Sequence, residues 1–212
     1  MSTYDLEEQE QLAELKAFWR QYGNLIILAA SLVVAAVASY LIWNRYQASQ
    51  SAQASALYAE LQRTASANDG KKVRDLAGAL IESHPRTVYA ALGVLVSARV
   101  HFSAGDLKTA RAQLQWVVDN ARDRDVQAIA RLRLANVLID EKAYDDALKV
   151  LGAKPEPAFE ALFEDVRGDV LAAQGKRAEA RAAYGTALAK ARPDDAAARE
   201  LIQLKLDALG GG

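Results

Sequence analysis

The 212-residue sequence predicts an all-α fold: one long apolar helix near the N-terminus, then a solenoid of about three to four helix pairs closed by a single helix. Three observations predict it. Between Gln21 and Asn44 no residue is charged. From Gln47 onward apolar residues recur at three- and four-residue intervals, and short alternating runs of strand type are absent. Between Leu95 and Leu188 a pattern of small, turn and large residues returns three times.

The chain begins with an acidic stretch. Asp5, Glu7, Glu8, Glu10 and Glu14 stand against Lys16 and Arg20, so residues 1–20 carry -3 while the whole chain carries -1. Neither part concentrates the basic charge that phosphate-backbone binding requires, so nucleic acid is not an expected partner. With no cysteine there is no disulfide, thiolate ligand or thiol nucleophile. Met1 is the only methionine, which argues against an adaptable Met-rich groove.

The apolar heart, Leu25 to Trp43, reads LIILAASLVVAAVASYLIW. At 1.5 Å per residue it spans roughly 29 Å, the thickness of a bilayer's hydrocarbon. Tyr22, Tyr40, Trp43 and Tyr46 lie near its ends, where amphipathic rings prefer the interface, and Arg20 and Arg45 bracket it. A core helix would rarely run so long without a polar face. A cleaved signal peptide would start basic and have a shorter apolar region; the small-x-small sites at Ala52 to Ala56 lie far beyond Trp43. The expected boundaries are a segment 1–22, a membrane span 23–44 and a repeat domain 45–212. Lys16 and Arg20 before the span balance Arg45 and Arg63 after it, so charge leaves the orientation open. Ser31, Ala35 and Ser39 share one face, a spacing that lets another helix approach closely. The abundance of Ala and Ser in the segment explains the spacing equally well.

Beyond the span, breakers at Asn68-Asp69-Gly70, His84-Pro85, Gly105-Asp106, Pro155 and Pro157, Gly175 and Pro193 separate stretches of helical length. A leading pair is expected from a helix continuing through Tyr58 and Leu61 and a second over Lys71 to Ser83. Three further pairs follow in register. Each first helix carries a small residue: Ala98, Ala135, Gly168. Seven residues later comes a turn at Gly105, Lys142 and Gly175. Ala110, Ala147 and Ala180 follow, then the larger Leu114, Leu151 and Tyr184. The small positions fit where antiparallel helices cross closely, and the large ones fill the gap to the next pair. This is the tetratricopeptide pattern. Lys142 makes the second turn the weakest match, since glycine is the usual residue there. Asp194 to Leu209 reads as a capping helix with Leu201, Leu204 and Leu206 toward the last repeat, and Gly210 to Gly212 as a tail.

An acidic N-terminal segment leads into Leu15-Lys16-Ala17-Phe18-Trp19-Arg20-Gln21-Tyr22-Gly23, then one span, then tetratricopeptide-like pairs. In this arrangement nearly the whole chain resembles the bacterial YfgM family, the ancillary subunit of the SecYEG translocon. The resemblance implies an inner-membrane protein with a cytoplasmic N-terminus and a periplasmic repeat domain. It implies association with SecYEG and with a PpiD-type periplasmic foldase, and assistance to newly exported client proteins in a chaperone network. A membrane-anchored scaffold for another cell-envelope complex would use the same parts.

No residue constellation points to catalysis or to a cofactor. Gly70-Lys71-Lys72 lacks the flanking residues of a phosphate loop. His84 and His101 are far apart in sequence, which argues against a transition-metal site. His84 is expected in a solvated turn and His101 in packing. The acidic pairs Asp145-Asp146, Glu164-Asp165 and Asp194-Asp195 are expected to open helices, where the helix dipole favours them. The expected binding surface is the concave face lined by the first helix of each pair. Repeat register places Leu95, Arg99 and Phe102 there, then Leu132, Asn136 and Ile139, then Asp165 and Asp169. Such aliphatic and aromatic groups with polar anchors suit extended or helical partner segments, although several of these positions fit inter-repeat core equally well.

Overall fold

The computed structural model describes the backbone of residues 4–67 and 69–210, and side chains from residue 11 onward. The acidic side chains of Asp5, Glu7, Glu8 and Glu10 and most of the tail lie outside it. Among the described residues every regular element is helical: α1 Tyr4–Ser66, α2 Gly70–Ser83, α3 Val88–Ser103, α4 Leu107–Asn120, α5 Arg124–Asp140, α6 Tyr144–Leu151, α7 Glu160–Ala173, α8 Arg177–Lys190 and α9 Ala196–Ala208, with a 3-10 turn at Pro157–Phe159. The chain divides into two compact units, Met1–Gln50 and Ser51–Gly212.

The first unit is helical throughout its described length. Ten large aliphatic side chains between Leu25 and Ile42 are exposed on it. At ~1.5–3 kcal/mol for each such side chain, leaving them in water would cost roughly 15–30 kcal/mol. This helix is long and apolar enough to cross a membrane. Just before the apolar run the Trp19 indole lies against Gly23, one turn on. A Cβ at residue 23 would stand 3.2 Å from that ring, so glycine lets the indole lie flat on the helix. Phe18 and Tyr22 pair on the neighbouring face with centroids 5.1 Å apart.

The second unit is a stack of helix pairs. Ala54 and Leu61 of α1 are fully buried with Val73, Ala77 and Leu80 of α2, forming the leading pair. Then α3 packs on α4, α5 on α6 and α7 on α8, with α9 closing the stack on α8. The first helices α3, α5 and α7 also touch in succession, which makes them the inner layer. The repeat residues fall where the pattern requires. Ala98, Ala135 and Gly168 are buried, Ala110, Ala147 and Ala180 are fully buried, and Leu114, Leu151 and Tyr184 are at most 3% exposed.

The three turns are the same motif. Gly105, Lys142 and Gly175 all have positive φ, at 79°, 59° and 78°. In each, the following amide reaches back five residues: Asp106 to His101, Ala143 to Leu138 and Lys176 to Leu171, at 2.8–2.9 Å. These 6→1 bonds, with the 5→2 bonds beside them, are Schellman ends that satisfy the last carbonyls of each first helix. Lys142 therefore adopts the turn its side chain disfavours. A Lys142→Gly variant should be more stable by about 0.5–1 kcal/mol, because the left-handed conformation costs a β-carbon roughly 1–2 kcal/mol and the gain is offset by glycine's greater freedom when unfolded. Urea denaturation reads this directly; an unchanged or lower midpoint would contradict it.

Several local expectations are corrected. His84 is buried rather than solvated, because it ends α2 where the chain folds back under α3. Its carbonyl accepts from both the Thr87 amide and hydroxyl. In α9 the inward face is Ile202, Lys205 and Leu206, whereas Leu201 and Leu204 are 53% and 60% exposed. Asp195, not Asp194, caps α9 by accepting from the Ala198 amide. Glu164 and Asp165 lie in the second turn of α7, not at its start.

Candidate functional site

The inner helices position the candidate residues, and the structure sorts them into three groups. Leu95 is 4% exposed, and Leu132 and Ile139 pack on the same core, so these three hold the helices together rather than line a groove. Asp165 and Asp169 are engaged by α9. Lys205 Nζ donates to both Asp165 oxygens at 2.9 Å and to Asp169 at 2.9 Å. Arg99, Phe102 and Asn136 do come together, in an open cleft of about 190 Å³ between α3 and α5. Its floor is Ala98, Leu114 and Val137, and Arg133 forms the opposite wall.

Register alone misses Arg133. An inter-helix cleft is lined by the facing edges of two helices, one edge from each. The α3 edge is 98, 99 and 102, whereas the α5 edge is 133, 136 and 137. Repeating the same register position on α5 therefore also selects Leu132 and Ile139, which are not part of its lining and pack against the core. The spacing of Arg133 to Asn136 is the i, i+3 of one helix face, and that was the available signal.

Electrostatics distinguish the cleft from the closed end of the stack. At the closed end, burial raises the Asp165 carboxyl above the ordinary carboxylate range, against the pull of Lys205. Burial alone would lower the Lys205 ammonium, but the hydrogen bonds and charges of Asp169 and Asp165 outweigh it and hold it above its ordinary value. Tyr184 donates to Asp169 at 2.7 Å beneath this cluster. Its phenol is pushed far up, by burial first and then by the Asp169 bond. Near the leading pair, His101 Nδ1 lies 3.2 Å from Asp106 and Arg74 Nε donates to His101 Nε2 at 3.4 Å. Nε2 accepts, so the ring is the neutral Nδ1–H tautomer. Burial and then Arg74 hold its pKa below the ordinary value. This is packing with satisfied polar atoms. Among the described residues no group of three His, Cys, Asp or Glu side chains could hold a metal ion. In the membrane segment, Ser31, Ala35 and Ser39 are exposed, and the Ser39 hydroxyl donates to the Ala35 carbonyl at 2.8 Å.

A family model described as a tetratricopeptide repeat-like domain matches residues 16–211. The ancillary SecYEG translocon subunit of Neisseria gonorrhoeae is 35% identical over 205 residues, 96% of this chain and 98% of that protein. The chain belongs to the ancillary SecYEG translocon subunit family. The family member of Escherichia coli is 28% identical over 210 residues, 99% of both chains. That of Haemophilus influenzae is 28% identical over 181 residues, 85% of this chain and 88% of its own. In this translocon-subunit family setting, the one helix among the described residues that is long and apolar enough to cross a membrane fits a single-pass inner-membrane protein.

Proposed function

We propose that this chain is an accessory subunit of the SecYEG translocon whose repeat domain holds partner proteins in the periplasm. Residues 1–22 are cytoplasmic, 23–44 span the inner membrane and 45–212 are periplasmic. Its partners are the translocon, a PpiD-type foldase and newly exported clients, within a chaperone network. It performs no covalent chemistry. It acts by apolar burial and hydrogen bonding on the inner layer of the solenoid. The face of Ser31, Ala35 and Ser39 packs against another membrane helix.

The observation that carries this reading is the collinearity with relatives named as translocon subunits: acidic segment, span and repeats together occupy 96–99% of the chain in the Neisseria and Escherichia matches. An anchor joined to an unrelated scaffold would match in the repeats alone. Purification of the tagged full-length chain from inner membranes in mild detergent should recover translocon subunits. Their repeated absence, with a different envelope complex in their place, would overturn the reading. An alkaline phosphatase fused after Leu209 should be active; an inactive fusion, paired with a fluorescent cytoplasmic reporter, would place the repeats on the other side.

A further inference from the structure

We propose that the cleft between α3 and α5 is a docking site for a partner segment in which an Asp or Glu side chain stands beside a bulky apolar one. The inference rests on reading the repeat domain as a partner-binding module, and it assigns the chemistry of one contact.

Two arginines face this cleft from opposite walls. Among the described residues neither Arg99 nor Arg133 has an ion pair or a side-chain hydrogen bond, a state they share with Arg86, Arg122, Arg131 and Arg177 but not with every arginine of the stack. Arg111 meets Glu141 and Asp146, Arg124 meets Glu156, and Arg167 meets Glu164. Like charges held in one cleft repel, although both side chains reach solvent, which screens the repulsion in part. The Arg133 guanidinium is accordingly held below its ordinary pKa, first by burial and then by Arg99. An incoming anion would neutralise such a pair. Guanidinium forks match a carboxylate in plane and can bind it through two parallel bonds.

The rest of the cleft selects what carries the carboxylate. Phe102 is 38% exposed over a floor of Ala98, Leu114 and Val137. The space, about 190 Å³, is below the ~300–1,000 Å³ that encloses a small-molecule ligand. It is the size of a side chain, so the fitting occupant is a peptide lying across the inner layer with one apolar residue inserted. Asn136 presents an amide that can both donate to and accept from the peptide backbone.

The test uses the full-length chain in detergent micelles and three capped peptides labelled with a fluorophore. One has two glutamates flanking a phenylalanine, one has glutamines in their place, and one has alanine for the phenylalanine. The first should bind, about ten-fold or more tighter than either of the others, and its affinity should fall with salt. Arg99→Gln with Arg133→Gln should abolish the preference for glutamate, and Arg99→Lys with Arg133→Lys should retain part of it. The Gln pair should melt at or above the parent temperature, because it removes a repulsion rather than a bond. Equal binding of the glutamate and glutamine peptides, no binding of any peptide, or a preference unaffected by the Gln pair would overturn the inference. So would a Gln pair that melts well below the parent. Translocon recovery by the parent chain separates the two readings: recovery without a glutamate preference in the parent sinks only the docking site, and a glutamate preference without recovery sinks only the translocon assignment.

Discussion

Replacing Gly168 by valine should destabilise the repeat domain by about 2–4 kcal/mol, because a side chain there must displace a ring that is pinned in place. A Cβ at Gly168 would overlap the Tyr184 ring itself. That ring is 3% exposed, its hydroxyl bonds Asp169 at 2.7 Å, and Lys205 lies 5.5 Å from its centroid. Moving it costs the bond as well as the packing. Alanine should be milder than valine, since its helix propensity recovers about 1 kcal/mol relative to glycine. Urea denaturation of the single variants and of Gly168→Val with Tyr184→Leu checks the mechanism. The double variant should lose clearly less than the sum, because the smaller side chain vacates the space. Strict additivity would show that the two positions do not meet.

Lys205→Ala should cost about 2–3 kcal/mol at neutral pH. Breaking a fully buried pair costs ~3–5 kcal/mol, and the partial exposure here reduces it. Lys205 is 25% exposed and its partners Asp165 and Asp169 are 13% and 31% exposed. The pH dependence follows from Asp165. Burial already raises its folded-state pKa, and the hydrogen bond and charge of Lys205 are what oppose the rise. Without the ammonium it rises further. A carboxyl whose folded pKa is raised contributes stability at low pH that is lost as pH climbs through the folded value. The deficit of Lys205→Ala should therefore be largest at neutral pH and shrink as the pH falls into the acidic range and Asp165 takes a proton. A deficit constant across that range would mean that Lys205 acts through the packing of its stem. Detachment of α9 in the variant, read as loss of hydrogen-exchange protection over 196–208, would show that this cluster fastens the cap.

Most of the fold was legible because helix pairing depends on local periodicity and on small residues at fixed spacing. Gly168 with Tyr184 illustrates why. The other pairs hold Ala98 with Leu114 and Ala135 with Leu151 at the same positions, so the bulkier second residue accompanies the smaller first one. The Lys142 turn was legible by register although its residue type argued against it, because the bonds closing the helix end outweigh a left-handed residue's strain. The site was less legible. Register identifies the inner face but not which of its positions are core, since that depends on the rotation of each helix against its neighbour. Leu95 turned inward for this reason and Arg133 turned into the cleft. Asp165 and Asp169 were recognisable as first-helix positions. Their cover by Lys205 depends on a residue 36–40 positions later in the chain, whose direction no local pattern fixes.

The inner layer of the repeats is the surface proposed to hold partners. Photo-crosslinking in living cells tests it most directly, with a photoreactive residue at Phe102 and, as control, at Gln115, which is exposed on the second-helix layer. Adducts from Phe102 containing translocon subunits, the foldase or exported proteins, with none from Gln115, are the predicted result. Adducts from Gln115 alone, or equal adducts from both positions, would contradict it.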